Sequence, residues 1–134
     1  MNREIKFRAI STSDKKWVYG NYAIIDGLPS IIDGSIEFID GSELRSYSWD
    51  YVYPDTICQF TGLHDKNGKD LYEGDIVLQQ GYHGNKQPML VKFECGAFIV
   101  GYHKGSSTKT TPMLLNSKCE VIGNIFDNPE LLED

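Results

Sequence analysis

The stretch Gln59–Val77, QFTGLHDKNGKDLYEGDIV, constrains the fold more than any other part of the chain. It places two chain reversals between apolar flanks. Asp65, Lys66, Asn67 and Gly68 have hairpin chemistry, and Asn67-Gly68 is the dipeptide that best tolerates positive φ at both central positions of a type I′ turn. Phe60 and Leu63 on one side, and Leu71 and Tyr72 on the other, can return to one apolar surface. Glu73-Gly74-Asp75 predicts a second reversal or a bulge. Gly74 can take a left-handed conformation there, and Asp75 can accept a backbone hydrogen bond across the turn. Asn67, Gly68, Gly74 and Asp75 are therefore read as structural turn residues. A functional reading of Tyr72-Glu73-Gly74-Asp75 sets two carboxylates beside an aromatic ring. A carboxylate acid–base pair needs convergent groups with separated pKa values, and turn chemistry explains the same residues without a ligand.

The rest of the chain repeats short β runs and polar turns. Ile5, Phe7 and Ala9 alternate with Lys6 and Arg8, and further runs occupy Trp17–Tyr19 and Tyr22–Ile25. Asp26-Gly27-Leu28-Pro29 reads as a turn. Ile31-Ile32 and Ile36–Ile39 read as two separate runs divided by a turn at Asp33-Gly34-Ser35, and Asp40-Gly41-Ser42 ends the second. Later strands are predicted over Ile76–Gln80, Met89–Phe93, Ala97–Tyr102 and Lys118–Ile122, with a turn at Glu94–Gly96. There is no long amphipathic helix, βαβ period or internal repeat. The pattern predicts a mainly β protein: an N-terminal β-rich subdomain over 1–55, an SH3-like barrel over 56–126, and an acidic tail or short helix over 127–134. Pro54 marks the boundary, and Asn128-Pro129 suits the start of a helical turn.

Tyr47, Trp49, Tyr51 and Tyr53 share one alternating register, so on a strand they line one face. Such a face packs against another sheet or a subunit, or stacks on bases or a peptide. Base-stacking platforms combine rings with positive charge. Here Asp50 and Asp55 lie nearby and Arg45 is the sole neighbouring cation, which points to packing or self-association. These four residues are the candidate interface.

The formal net charge of −6 opposes nonspecific binding to a phosphate backbone. Cys58, Cys95 and Cys119 have neither zinc spacing nor a disulfide framework, and suit a reducing cytoplasm. Cys58 and Cys119 sit in apolar contexts, whereas Cys95 lies at a turn. His64, His83 and His103 form no ligand cluster. The Asp-Gly turns lack the ordered ligands of a calcium loop, Lys104-Gly105-Ser106 does not match a Walker loop, and no Ser-His-acid or cysteine nucleophile pattern is present. No catalytic, metal or cofactor-binding residues are assigned. The N-terminus has no signal-peptide core, and no run approaches the roughly 20 apolar residues needed to span a bilayer.

Three sets of residues resemble the YopX-like family of phage and prophage proteins. They are Ile5-Lys6-Phe7-Arg8-Ala9 at the start; Thr61-Gly62-Leu63, Asp65–Lys69 and Leu71–Val77 in the centre; and Val121–Ile125 with Asn128–Leu132 at the end. Ile10 and Phe60 stand where family members often carry an aromatic residue and a tyrosine. The resemblance implies an SH3-like barrel in the C-terminal half and a phage or prophage origin, and brings no reaction with it.

The expectation is a non-enzymatic accessory protein in the host-cell cytoplasm, acting through protein interaction or self-association with an unknown host or phage protein or a second copy. The alternative is nucleic-acid binding through barrel loops, using Lys86, Lys92, Lys104 and Lys109. An enzyme would need a constellation of residues distant in sequence.

Overall fold

The computed structural model describes residues 3–81, 84–101 and 113–133, with backbone alone at 35–38, 44–45 and 113–114. The chain divides into two compact units, Met1–Gln59 and Phe60–Asp134. Both are built from antiparallel strands.

In the first unit, β1 (Phe7–Ile10), β2 (Trp17–Ile25), β3 (Leu28–Ile39) and β4 (Ser42–Tyr51) form a meander. The first part of β5 (Cys58–His64) joins it through Phe7↔Gln59 and Arg8↔Cys58, giving the order β4-β3-β2-β1-β5. Two-residue turns connect the long strands. Asp26-Gly27 has φ of 53° and 77° between Ile25 and Leu28, and Asp40-Gly41 has φ of 51° and 78° between Ile39 and Ser42. Positive φ at both positions is the type I′ signature, whose twist matches that of the strands it joins. The core on one face holds buried Ala9, Ile31 and Val52, with Phe7, Val18 and Ile57 packed around them. Thr56 ties the end of the unit back to its start: its hydroxyl accepts the Ile10 N–H at 2.9 Å and donates to the Tyr53 carbonyl at 2.7 Å.

Asp33-Gly34 does not turn the chain. β3 runs unbroken from Leu28 to Ile39 and pairs with β4 from Ser30 to Ile39, with Gly34 opposite Tyr47. The Tyr47 ring covers Gly34 so closely that a Cβ there would lie 2.8 Å from it. Glycine here clears space for an aromatic ring on the neighbouring strand.

In the second unit, the rest of β5 pairs with β6 (Asp70–Tyr72) through Phe60↔Tyr72 and His64↔Asp70. A separate sheet contains β7 (Asp75–Gln80), β8 (Lys86–Glu94), β9 (Ala97–Gly101), β10 (Met113–Leu114) and β11 (Glu120–Asn124), in the order β10-β9-β8-β7-β11. Leu71, Val77, Met89, Val91, Val100, Leu115 and Cys119 form its buried core. Full burial of one such aliphatic side chain contributes about 1.5–3 kcal/mol, so this cluster is the chief apolar source of stability in the unit. Cys95-Gly96, with φ of 51° and 79°, makes a third two-residue turn between Glu94 and Ala97. Pro129–Leu132 form a short 3-10 turn with Pro129 near its start; Asn128 makes no side-chain cap there, and its Oδ1 accepts the Asn124 N–H at 3.3 Å.

This architecture overturns the SH3-like barrel expected over 56–126, in which the sheet would close on itself. The sheet is open: its outer strands, β10 and β11, each have one neighbour in the strand order. Closure would give every strand two neighbours. Short strands separated by close turns describe an open meander as well as a barrel, and the partner of the last strand decides between them. β11 lies beside β7 with a register shift between Val121 and Gly123. The Cys119 carbonyl and Val121 N–H bond instead to Lys66 N–H and the Asp65 carboxylate, so a hairpin turn meets β11 where a closing strand would lie.

Two glycines of the first unit separate conformational strain from collision. Gly27 has left-handed φ and no atom within 4 Å of the place a Cβ would occupy, so Gly27→Ala is expected to cost about 1 kcal/mol from backbone strain alone. At Gly20 a Cβ would run into the Ile32 carbonyl, and Gly20→Ala is expected to cost about 3 kcal/mol. Urea denaturation of the two variants checks the ranking; equal losses would contradict it.

Candidate functional site

The register of β3 and β4 sets which side chains share a surface. Direct pairing places Ser30 opposite Tyr51, Ile32 opposite Trp49 and Gly34 opposite Tyr47. Alternation along each strand then puts Leu28, Ile32, Tyr47, Trp49 and Tyr51 on one side of the sheet, with Ile31 on the other, in the core. Tyr47 is 66% exposed, Trp49 45% and Leu28 48%. Tyr51 is half-buried: its ring meets Trp49 edge-on at 4.8 Å, and its hydroxyl donates to Asp26 Oδ2 at 3.0 Å. The ring's loss of solvent raises the Tyr51 hydroxyl pKa, and the hydrogen bond and charge of Asp26 add to the rise. Tyr53 lies beyond the end of β4, next to the 3-10 turn Pro54–Thr56; its N–H donates to the Ile10 carbonyl at 2.9 Å. Tyr47, Trp49 and Tyr51 thus stand on one strand face, and exposed Tyr53 follows them in extended backbone just beyond the end of β4. The support that Gly34 gives Tyr47 escaped the sequence reading. Its signal was the glycine itself, which reads equally well as a turn.

The turn residues of the second unit form a buried polar centre. Asp65 is 6% exposed. Its Oδ1 accepts the N–H groups of Asn67 and Lys69, each at 2.9 Å, and its Oδ2 accepts that of Val121 at 3.0 Å. Burial alone would push the Asp65 carboxyl up, but the N–H groups of Val121, Lys69 and Asn67, with the charge of Lys69, outweigh it and hold the pKa below the ordinary value. Gly68 has φ of 81° whereas Asn67 has no positive φ, and Gly68 N–H donates to the Asp65 carbonyl at 3.0 Å. The loop is therefore a type I turn followed by a left-handed glycine rather than the type I′ turn expected from Asn67-Gly68. The Asp65 carboxylate, pulled onto Asn67 and Lys69, favours that geometry.

Gly74, at φ 88°, donates to the Val91 carbonyl and accepts the Ile125 N–H, both at 2.9 Å. Asp75 is 1% exposed, and its Oδ2 accepts the Tyr72 N–H at 2.8 Å. Glu73 is half-buried. Asp65 and Asp75 are thus occupied in holding backbone. Burial, with Asp65 nearby, pushes the Cys119 thiol up to about 11, which leaves it protonated and a poor nucleophile near neutral pH.

Among the described residues, no group of three or more His, Cys, Asp or Glu is placed to hold a metal ion. His64 is exposed, pairs with Asp70 at 2.9 Å and meets Phe60 edge-on. Lys86 is exposed, and Lys92 lies 3.8 Å from Glu94. His83, His103, Lys104 and Lys109 lie outside the described residues. No helix among the described residues is long and apolar enough to cross a membrane.

A family model described as "YopX protein" matches residues 6–133. Among solved structures, the chain is similar to the crystal structure of protein EF1440 from Enterococcus faecalis, at a TM-score of 0.61 and 29% sequence identity, covering 97% of this chain and 99% of that one. No curated protein matches the chain.

The lowered Asp65 pKa fixes the sign of a pH effect. The stability it contributes is present above the unfolded carboxyl value of about 3.9 and is lost as pH falls through the lower folded value. Asp65→Asn is expected to cost about 2 kcal/mol at neutral pH through the loss of charge-assisted bonds, with the gap to the native protein shrinking towards pH 3. Denaturant titrations across that range check it; a gap that stays constant would contradict the assignment.

Proposed function

The chain belongs to the YopX family of phage and prophage proteins, and from that premise we propose that it is a non-enzymatic accessory protein that works in the host-cell cytoplasm by protein association across the aromatic face of its first unit. The observation that carries the reading is the exposure of Tyr47, Trp49 and Leu28 on one side of the β3–β4 pair, next to half-buried Tyr51 and Ile32. Contiguous apolar area of this kind marks interaction sites on soluble proteins, and tyrosine and tryptophan are enriched where such contacts carry binding energy. The absence of an enzymatic role is supported by the use of Asp65 and Asp75 as backbone acceptors and by the raised pKa of Cys119.

A photo-crosslinking amino acid placed at Tyr47 or Trp49, and at exposed Lys15 as a control, tests the reading in cells that carry the phage. Specific protein adducts are expected from positions 47 and 49 and not from 15. The paired change Tyr47→Ser and Trp49→Ser is expected to weaken the association about 30-fold, the effect of losing one interface hot spot. Adduct yields at 47 and 49 no higher than at 15 would overturn the proposal.

A further inference from the structure

The side of the first sheet that carries Tyr47, Trp49 and Tyr51 is uncharged. Pairing and alternation give this side every second residue from Asn21 to Ile25 on β2, Leu28 to Gly34 on β3 and Tyr47 to Tyr51 on β4, and none of them is Asp, Glu, Lys or Arg. The opposite side of the same strands carries Asp33 and Asp50. Asp26, the carboxylate at the border of the uncharged side, accepts the Tyr51 hydroxyl at 3.0 Å. In a chain with a net charge of −6, such a face selects against charged partners. A phosphate backbone needs cations to meet it, and a basic segment would give up its water without gaining a carboxylate in return.

The exposed part of this face suits a short segment better than a second copy. A buried aromatic side chain covers roughly 150–250 Å². With Tyr47 66%, Trp49 45% and Leu28 48% exposed, and Tyr51 and Ile32 half-buried, the patch offers on the order of 400 Å². A stable dimer takes about 800 Å² from each copy, twice that area. Tyr47 to Tyr51 spans about 13 Å of strand, the length of about four residues of polyproline II at roughly 3.1 Å each.

The polar groups of the ridge define the chemistry of that segment. Tyr51 gives its hydroxyl hydrogen to Asp26 and meets Trp49 edge-on at 4.8 Å. Trp49 carries an indole N–H, which can only donate, and Tyr47 carries a hydroxyl. No carboxylate stands among them on this side to accept an N–H. A proline-rich segment has matching needs: it offers carbonyl acceptors, lacks the N–H of each proline, and holds the polyproline II form without internal hydrogen bonds. Tyr47 and Trp49 lie about 7 Å apart along β4, a spacing that admits one pyrrolidine ring. We propose that the ridge from Tyr47 to Tyr51 binds an uncharged, proline-rich segment of a partner protein in the polyproline II conformation. The proposal rests on the association reading above and names the chemistry of the partner. Aromatic surfaces take such segments because a preformed backbone loses little entropy on binding.

The test titrates the full chain with a proline decamer, and with a Gly-Ser decamer as control, and follows the two tryptophan indole N–H signals by heteronuclear NMR. Trp49→Phe assigns them. The Trp49 signal is expected to shift and saturate with decaproline at a Kd on the order of 100 μM. The Trp17 signal is expected to stay in place, since that ring is half-buried against the Arg8 guanidinium at 4.6 Å. The Gly-Ser decamer is expected to move neither. Tyr47→Ala, which leaves the Trp49 signal as a probe, is expected to weaken binding about tenfold. A Trp49 signal unmoved at millimolar decaproline, an equal response to the Gly-Ser decamer, or full binding by Tyr47→Ala would overturn the proposal, as would adducts at positions 47 and 49 that join two copies of this chain. Failure of decaproline to bind, alongside adducts from 47 and 49 to a different protein, would overturn the proline-rich partner alone; loss of those adducts would overturn the association reading as well.

Discussion

The second unit depends on one buried carboxylate. Asp65 holds its own turn through Asn67 and Lys69 and reaches across to the backbone of β11 through Val121. A carboxylate has enough acceptor sites for three N–H groups, and each charge-assisted bond strengthens the case for keeping the group ionised. Without it, the Val121 N–H and the turn amides would need other acceptors in a region where Asp65 itself is nearly sealed from water. Gly74 and Asp75 serve a similar end a few residues later. A left-handed glycine lets its amide and carbonyl reach Val91 and Ile125, and Asp75 closes the turn on Tyr72. The stretch from Gln59 to Val77 thereby ties a hairpin, the central strand β8 and the segment after β11 into one polar framework.

The sequence showed the β class and several turns because these rest on local chemistry. Asp26-Gly27 and Asp40-Gly41 need little beyond their own φ preferences to reverse the chain. Asp33-Gly34 has the same local chemistry and a different fate, since Tyr47 on the next strand fills the space above the glycine. Likewise, Asn67-Gly68 suggested a type I′ turn, and the Asp65 carboxylate produced another geometry. The barrel failed as an expectation for a related reason. Strand spacing was legible, but sheet closure depends on which strand β11 joins and on a carboxylate 56 residues away in sequence. At the candidate surface, the shared register of Tyr47, Trp49 and Tyr51 could be read from alternation, whereas the end of β4 at Tyr51, with the 3-10 turn starting at Pro54, could not.

The family match and the solved structure from Enterococcus faecalis cover almost the whole chain, so both units belong to one family's architecture and are not two unrelated modules. The units divide their polar resources differently. The second unit buries carboxylates to secure its backbone. The first keeps a modest core on one face and leaves large aromatic side chains on the other, where solvent-exposed apolar area has a standing cost that a contact partner removes.

The type I′ turns have a further consequence for the route to the native state. Each joins strands through two residues, so the β2–β3–β4 meander forms from neighbours in the chain with little loop-closure entropy to overcome. The bonds that complete each unit are far less local: Ile10 to Thr56 spans 46 positions and Val121 to Asp65 spans 56. Contacts of such long sequence separation slow folding. Closure cost therefore favours the meander over the long-range bonds of Thr56 and Asp65, each of which needs a loop of about fifty residues to be closed first.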